Sequence, residues 1–270
     1  MAAPRTGIEA SSGFSRNGLP YNRFGSGPRT VVVFQGLVFE NRPMSGLDAR
    51  FTFSMYSSLA DAYTVYVVTR RRGLRRGCSI RDMSDDYADM VREELHQPVD
   101  IIGLSTGGSI CQQFAADHPD LVRRLVIHSA AYTLGPRGKS IQLRARDSAL
   151  AGNWRHVGAL MMEWAAKPSW YRGIILRVAS PFVALGAPDD PSDFVRTIEA
   201  EDAFDFHDRL GEITAPTLVV AGAEDPGYSP ELFARTAHAI PNGRLVLYPG
   251  MGHPARGPRF ARDLLAFLDE

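Results

Sequence analysis

The apolar run Pro98-Val99-Asp100-Ile101-Ile102 leads directly into Gly103-Leu104-Ser105-Thr106-Gly107 and then into a segment patterned as a helix. A chain can follow that order only by turning sharply from a buried strand into a helix, which leaves Ser105 at the bend, with its hydroxyl clear of the sheet. Glycine suits positions 103 and 107 because the flanking backbones pass close together there, and a Cβ would collide with the neighbouring strand or helix. The string G-x-S-x-G arises often by chance, so its setting between strand and helix carries the inference. Ser105 is the candidate nucleophile.

A serine hydroxyl attacks poorly until a neighbour takes its proton, so a general base and an orienting acid are required. Two further segments have the same form as the first. Thr217-Leu218-Val219-Val220-Ala221 precedes Gly222-Ala223-Glu224-Asp225-Pro226, and Arg244-Leu245-Val246-Leu247-Tyr248 precedes Pro249-Gly250-Met251-Gly252-His253. Each reads as a short buried strand whose following loop presents polar residues. His253 is the candidate base, and Asp225 or Glu224 the candidate acid.

The rest of the chain alternates strands and helices, the mark of a mostly parallel sheet covered on both faces. Thr30 to Phe34 and Thr64 to Thr69 read as strands, separated by a helix with Leu47, Phe51, Met55 and Leu59 as its buried stripe. Ser84 with Asp85 and Asp86 predicts a helix start, followed by Tyr87, Val91 and Leu95. The helix after Ser105 should run to about His118-Pro119, and Leu125 to Ser129 is the next strand. Near the C-terminus, Ser229-Pro230-Glu231 opens a helix, and a last one turns Phe260, Leu264 and either Phe267 or Leu268 inward. Residues 135–206 break the alternation and read as a helical insertion between two strands. The expected division is a core of 1–134 and 207–270 with a cap of 135–206.

In chain order the candidates run serine, acid, histidine, as in the α/β-hydrolase superfamily. The chain resembles that superfamily from about Leu19 to the C-terminus, apart from the middle segment. The resemblance implies an α/β-hydrolase fold with an inserted helical lid, and a serine hydrolase that needs no cofactor. It places Asp225 rather than Glu224 in the acid position, before the helix-breaking Pro226. It also implies an oxyanion hole made by the backbone N–H groups of Thr106 and Leu37, the latter following strand Thr30 to Phe34. Relatives usually carry His-Gly where this chain has Gln35-Gly36. Ser105-Thr106-Gly107-Gly108 also resembles the elbow of cofactor-free perhydrolases.

All three tryptophans, Trp154, Trp164 and Trp170, fall in the insertion with Met161, Met162, Tyr171, Phe182 and Phe194. A lid over an aqueous cleft needs an apolar underside, so Trp154, Met161, Trp164 and Trp170 are the candidate substrate contacts. The expected reaction is cleavage of a carboxylic ester or lactone of a small, largely apolar substrate through an acyl-enzyme. Amide or peptide hydrolysis and C–C bond hydrolysis use the same triad and stay open. A ligand-binding protein without turnover is the reading from another class.

With 30 basic and 30 acidic side chains the formal charge is zero, so no global field recruits nucleic acid or an anionic membrane. The arginines 70–72, 75 and 76 read as a solvated loop after a strand, and Arg42 as a surface residue. The two cysteines, Cys78 and Cys111, lack the spacing of a metal site or disulfide framework, so no metal is expected and both read as free thiols. Met1 to Gly18 has no apolar core of signal-peptide length, and no stretch has the length of a membrane span. The expected compartment is the cytoplasm.

Overall fold

A computed structural model describes residues 10–165 and 187–270. Eight strands form one sheet in the order β1-β2-β4-β3-β5-β6-β7-β8. They are β1 (Ala10–Phe14), β2 (Pro20–Phe24), β3 (Arg29–Phe34), β4 (Tyr63–Val68), β5 (Val99–Leu104), β6 (Val122–His128), β7 (Thr217–Gly222) and β8 (Gly243–Tyr248). From β4 to β8 all neighbours pair in parallel. The first two strands form an antiparallel hairpin that sets β2 against β4, an addition the sequence patterning did not reveal.

Side-chain alternation divides the core between the two sheet faces. Val31 and Val33 of β3 pack with Met55 and Tyr56 of α1 (Gly46–Tyr56) and with Phe260, Leu264, Phe267 and Leu268 of α8 (Pro258–Asp269). Val32 and Phe34 point the other way, toward α2 (Ile80–Met90), α3 (Thr106–Asp117) and α7 (Pro230–Ala239). Burial of each such Val, Leu or Phe contributes about 1.5–3 kcal/mol. Among the described residues, three further helices, α4 (Pro136–Leu150), α5 (Trp154–Ala165) and α6 (Ser192–Asp202), lie between β6 and β7.

Two expectations are corrected. The buried face of α1 is Ala49, Thr52, Met55 and Tyr56, whereas Leu47 is 80% and Phe51 45% exposed. A spacing of four drifts about 40° per step around a helix of 3.6 residues per turn, so of the stripe 47-51-55 only Met55 stays on the core. The second helix starts earlier than Ser84. Ser79 caps it, its hydroxyl accepting from the Asp82 N–H at 3.2 Å while Asp82 accepts from the Ser79 N–H at 2.8 Å. Ser84 lies buried inside the helix instead.

Candidate active site

In a parallel sheet every strand ends at the same edge, and the loops there meet. The strand order reverses direction between β3 and β5, and Leu37 and Ser105 follow those two strands. Ser105 has φ 52° and ψ −121°, a conformation that costs about 1–3 kcal/mol for a non-glycine residue. Neighbours hold it there. Its N–H donates to the His128 carbonyl at 2.9 Å, and its carbonyl accepts from the Gly108 N–H at 2.6 Å. A Cβ on Gly103 would overlap the Cys111 sulfur, and one on Gly107 would overlap the Phe34 carbonyl. The elbow closes only with glycine at both positions.

After β7 and β8 come the loops that carry the acid and the histidine. They touch because Gly222 has no side chain: a Cβ there would overlap the carbonyl oxygens of Met251 and Gly252. The Glu224 N–H donates to Met251 O at 2.9 Å, which locks one loop to the other. His253 Nδ1 then lies 2.7 Å from Asp225 Oδ2, while Asp225 Oδ1 accepts from the Gly227 N–H at 2.9 Å. The Asp225 side chain is fully buried and that of His253 is 10% exposed. Glu224, the rival acid, is exposed. An imidazole donating Nδ1–H to a buried carboxylate keeps Nε2 free to accept a proton, as a general base must.

Of the two expected oxyanion donors, Thr106 begins α3, where helix geometry leaves the backbone N–H without an intrahelical acceptor. Leu37 follows Gly36, which lies against the elbow: a Cβ on Gly36 would stand 3.3 Å from both the Leu104 carbonyl oxygen and the Ser105 Cβ. Gln35, in place of the usual histidine, turns its amide toward α1 and donates to Thr52 Oγ1 and Met44 Sδ, each at 3.4 Å.

Three buried polar residues around these loops escaped the sequence reading. Arg70 is 1% exposed, which corrects the expectation of a solvated arginine cluster. Its Nη1 and Nη2 donate to the carbonyls of Gln35 and Gly36, each at 2.9 Å. Only its neighbours are solvated, with Arg71 pairing with Asp86 at 2.7 Å and Arg72 with Glu40 at 3.2 Å. Glu201 of α6 accepts from Thr106 Oγ1 at 2.6 Å, Gln142 Nε2 at 2.9 Å and Ser109 Oγ at 3.3 Å. Burial pushes its pKa up, and those donors with the nearby Arg70 charge partly offset the shift. A signal for Glu201 was present: it continues the Phe194-Ile198 stripe of α6 at helical spacing.

The third is His128, at the end of β6. Its Nε2 lies 2.7 Å from the Ala255 carbonyl and its Nδ1 2.8 Å from the Tyr56 hydroxyl. A carbonyl only accepts, so Nε2 carries the proton and Nδ1 accepts from Tyr56. Burial pushes its pKa down to about 3, so the ring is neutral. Both thiols are pushed upward by burial, Cys78 to about 11 and Cys111 further, which leaves neither as a nucleophile at neutral pH.

The candidate substrate contacts separate in space. The Trp164 ring meets that of His253 edge to face at 5.5 Å between centroids, and Tyr228 stacks near the same imidazole at 6.3 Å. Trp154 stands instead over Phe39 at 5.5 Å and near Phe194 at 5.8 Å. Met161 is partly buried against the same core. Trp170, with Tyr171 and Phe182, lies outside the described residues. Among the described residues no cluster of His, Cys, Asp or Glu is placed to hold a metal ion, and no helix is long and apolar enough to cross a membrane.

The model of the alpha/beta hydrolase family matches residues 43–266. The chain belongs to that family. Among curated proteins it is 26% identical over 263 residues to a 2-hydroxy-6-oxononadienedioate/2-hydroxy-6-oxononatrienedioate hydrolase of Cupriavidus pinatubonensis, covering 92% of this chain and 89% of that one. It is also 27% identical over 273 residues to polyketide synthase ThaQ of Burkholderia thailandensis, covering 92% of this chain but only 12% of the synthase. The enol-lactonase from Burkholderia xenovorans LB400 has the same fold, with a TM-score of 0.75 and 18% identity over 96% of this alpha/beta hydrolase and 100% of the lactonase.

Proposed function

We propose that this alpha/beta hydrolase is a serine hydrolase that cleaves a carboxylic ester or lactone of a small, largely apolar substrate through an acyl-enzyme, without a cofactor. The observation that carries the reading is the Asp225–His253 pair, 2.7 Å apart and shielded from water, at the sheet edge where Ser105 is held in a strained turn. In the proposed mechanism His253 takes the Ser105 proton as Oγ attacks the carbonyl carbon, and Asp225 stabilises the imidazolium. The N–H groups of Leu37 and Thr106 receive the developing oxyanion. His253 then gives the proton to the leaving alkoxide, and a water activated by the same imidazole releases the acid.

In this reading, residues 135–206 form a lid that selects the substrate, and the remaining chain performs the chemistry. Trp164 beside His253 and Trp154 beside Phe39 support that division. A hydrolase of oxo-dienedioates among the relatives and an enol-lactonase of the same fold support an oxygenated carbonyl substrate.

Incubation with a fluorophosphonate, followed by mapping of the adduct, tests the nucleophile. A single adduct on Ser105 is expected; an unmodified Ser105 would point to a ligand-binding protein without turnover. A panel of nitrophenyl esters, lactones, aminoacyl arylamides and C–C cleavage substrates then assigns the bond. Turnover of the arylamides or the C–C substrates alone would replace the ester reading.

A further inference from the structure

Arg70 leaves the end of β4 and reaches the loop after β3, where its two terminal nitrogens each hold a backbone carbonyl, Gln35 O and Gly36 O, at 2.9 Å. The Gly36 carbonyl and the Leu37 N–H belong to one planar trans peptide, so they point in opposite directions. A donor that fixes the carbonyl therefore fixes the direction of the N–H. Among the described residues nothing accepts a hydrogen bond from that N–H.

Joining β4 to the neighbouring loop would require only neutral donors. This chain instead buries a guanidinium, and among the described residues no carboxylate pairs with it directly; Glu201 and Asp193 act on it only through longer-range attraction. A desolvated cation needs a compensating role, because taking it from water is expensive. Bonded to a carbonyl oxygen, it draws electron density toward that oxygen and makes the N–H of the same peptide a stronger donor, an effect amplified where water is excluded.

We propose that Arg70 is a positioning residue of the oxyanion hole, orienting and polarising the Gly36–Leu37 peptide so that the Leu37 N–H stabilises the tetrahedral oxyanion. The assignment rests on the serine-hydrolase reading above. Arg70 touches no reacting atom and acts through the peptide it holds. It should affect the transition state, in which the oxygen is charged, far more than the bound ester, whose carbonyl is neutral.

The test compares Arg70→Met, Arg70→Gln and Arg70→Lys with the wild-type enzyme, each checked for folding by circular dichroism and thermal melting. On an ester that saturates the enzyme, Arg70→Met should lower kcat by about 100-fold, the scale of losing one oxyanion donor, with KM changed less than about threefold. Phosphonylation of Ser105 by the fluorophosphonate should slow in parallel, since its phosphoryl oxygen occupies the same hole. Arg70→Lys, charged but able to reach one carbonyl, should recover about tenfold of that loss. Arg70→Gln isolates the charge from the hydrogen bond and should stay near Arg70→Met; it serves in place of that variant if Arg70→Met does not fold. Wild-type kcat in Arg70→Gln would overturn the polarising role of the charge, and wild-type kcat in Arg70→Met, or losses confined to KM, would reduce Arg70 to a packing role. Labelled wild type with equally reactive variants overturns this assignment alone, whereas an unlabelled wild type overturns the hydrolase reading and this assignment with it.

Discussion

The loop carrying His253 and the loop carrying Leu37 leave the same sheet edge, yet the first is tied down by a neutral imidazole and the second by a buried guanidinium. His128 holds the Ala255 carbonyl at 2.7 Å, and Ser129 Oγ accepts from the Ala255 N–H at 3.0 Å. Arg70 holds Gln35 and Gly36 in the corresponding way. Helix α1 touches both sides, through the Tyr56 hydroxyl on His128 and Thr52 on Gln35. The two braces differ in what can undo them. A guanidinium keeps its proton at any pH a protein survives, whereas the imidazole brace depends on staying neutral. The histidine loop is therefore the acid-sensitive half of the site.

On that half the largest effect should come from Asp225→Asn, which favours the wrong imidazole tautomer and should lower kcat by about 10⁴-fold. Glu224→Gln should change it by less than about twofold. Steady-state kinetics on one ester ranks the two, and the opposite order would move the acid to Glu224.

His128 sets the next effect. Its folded-state pKa lies near 3 and its unfolded value near 6.5, so between those limits the unfolded chain binds a proton that the folded one does not. Stability from this residue is complete above pH 6.5 and falls by about 1.4 kcal/mol per pH unit as the pH drops toward 3. Urea unfolding of wild type and His128→Gln at pH 7, 6 and 5 should give a shallower decline in the variant. Parallel declines would mean that other groups control the acid limit.

Smaller again, and different on the two sides, are the tryptophans. Trp164→Ala opens space beside His253 and Trp154→Ala beside Phe39. Each should weaken kcat/KM for bulky acyl or aromatic esters by about 1–3 kcal/mol while sparing acetyl esters. Equal losses on short and bulky esters in both variants would make these residues supports of the fold. Least of all should matter the outward side of α1, which reaches neither loop: Leu47→Ser should shift stability by under about 0.5 kcal/mol, against about 2–5 for Met55→Ala. Chemical denaturation separates the two.

What could be read from the sequence follows from which interactions are local. The elbow around Ser105 and the loops at Asp225 and His253 announce themselves through strand, glycine and turn within a dozen residues, and the last helix buries Phe260 and Leu264 as patterned, with both Phe267 and Leu268 inward where the pattern left a choice between them. Arg70 stands in a row of three arginines with no local mark to separate it from Arg71 and Arg72, since its partners are in the loop after β3, a distant segment. His128 likewise sits at the end of an ordinary strand. The cap of α2 was legible but misplaced, because Asp82 fills the reciprocal position three residues after Ser79 that glutamate or glutamine usually takes.

The left-handed backbone at Ser105 has a consequence for how such a chain can drift. With φ at 52°, the position would suit glycine better than any residue with a side chain, and Ser105→Gly should relieve part of about 1–3 kcal/mol of strain. Stability alone would thus favour losing the hydroxyl. A lineage released from the need for a nucleophile here could gain resilience in a single substitution, so whatever keeps serine at this bend must act against the thermodynamic gradient of the fold itself.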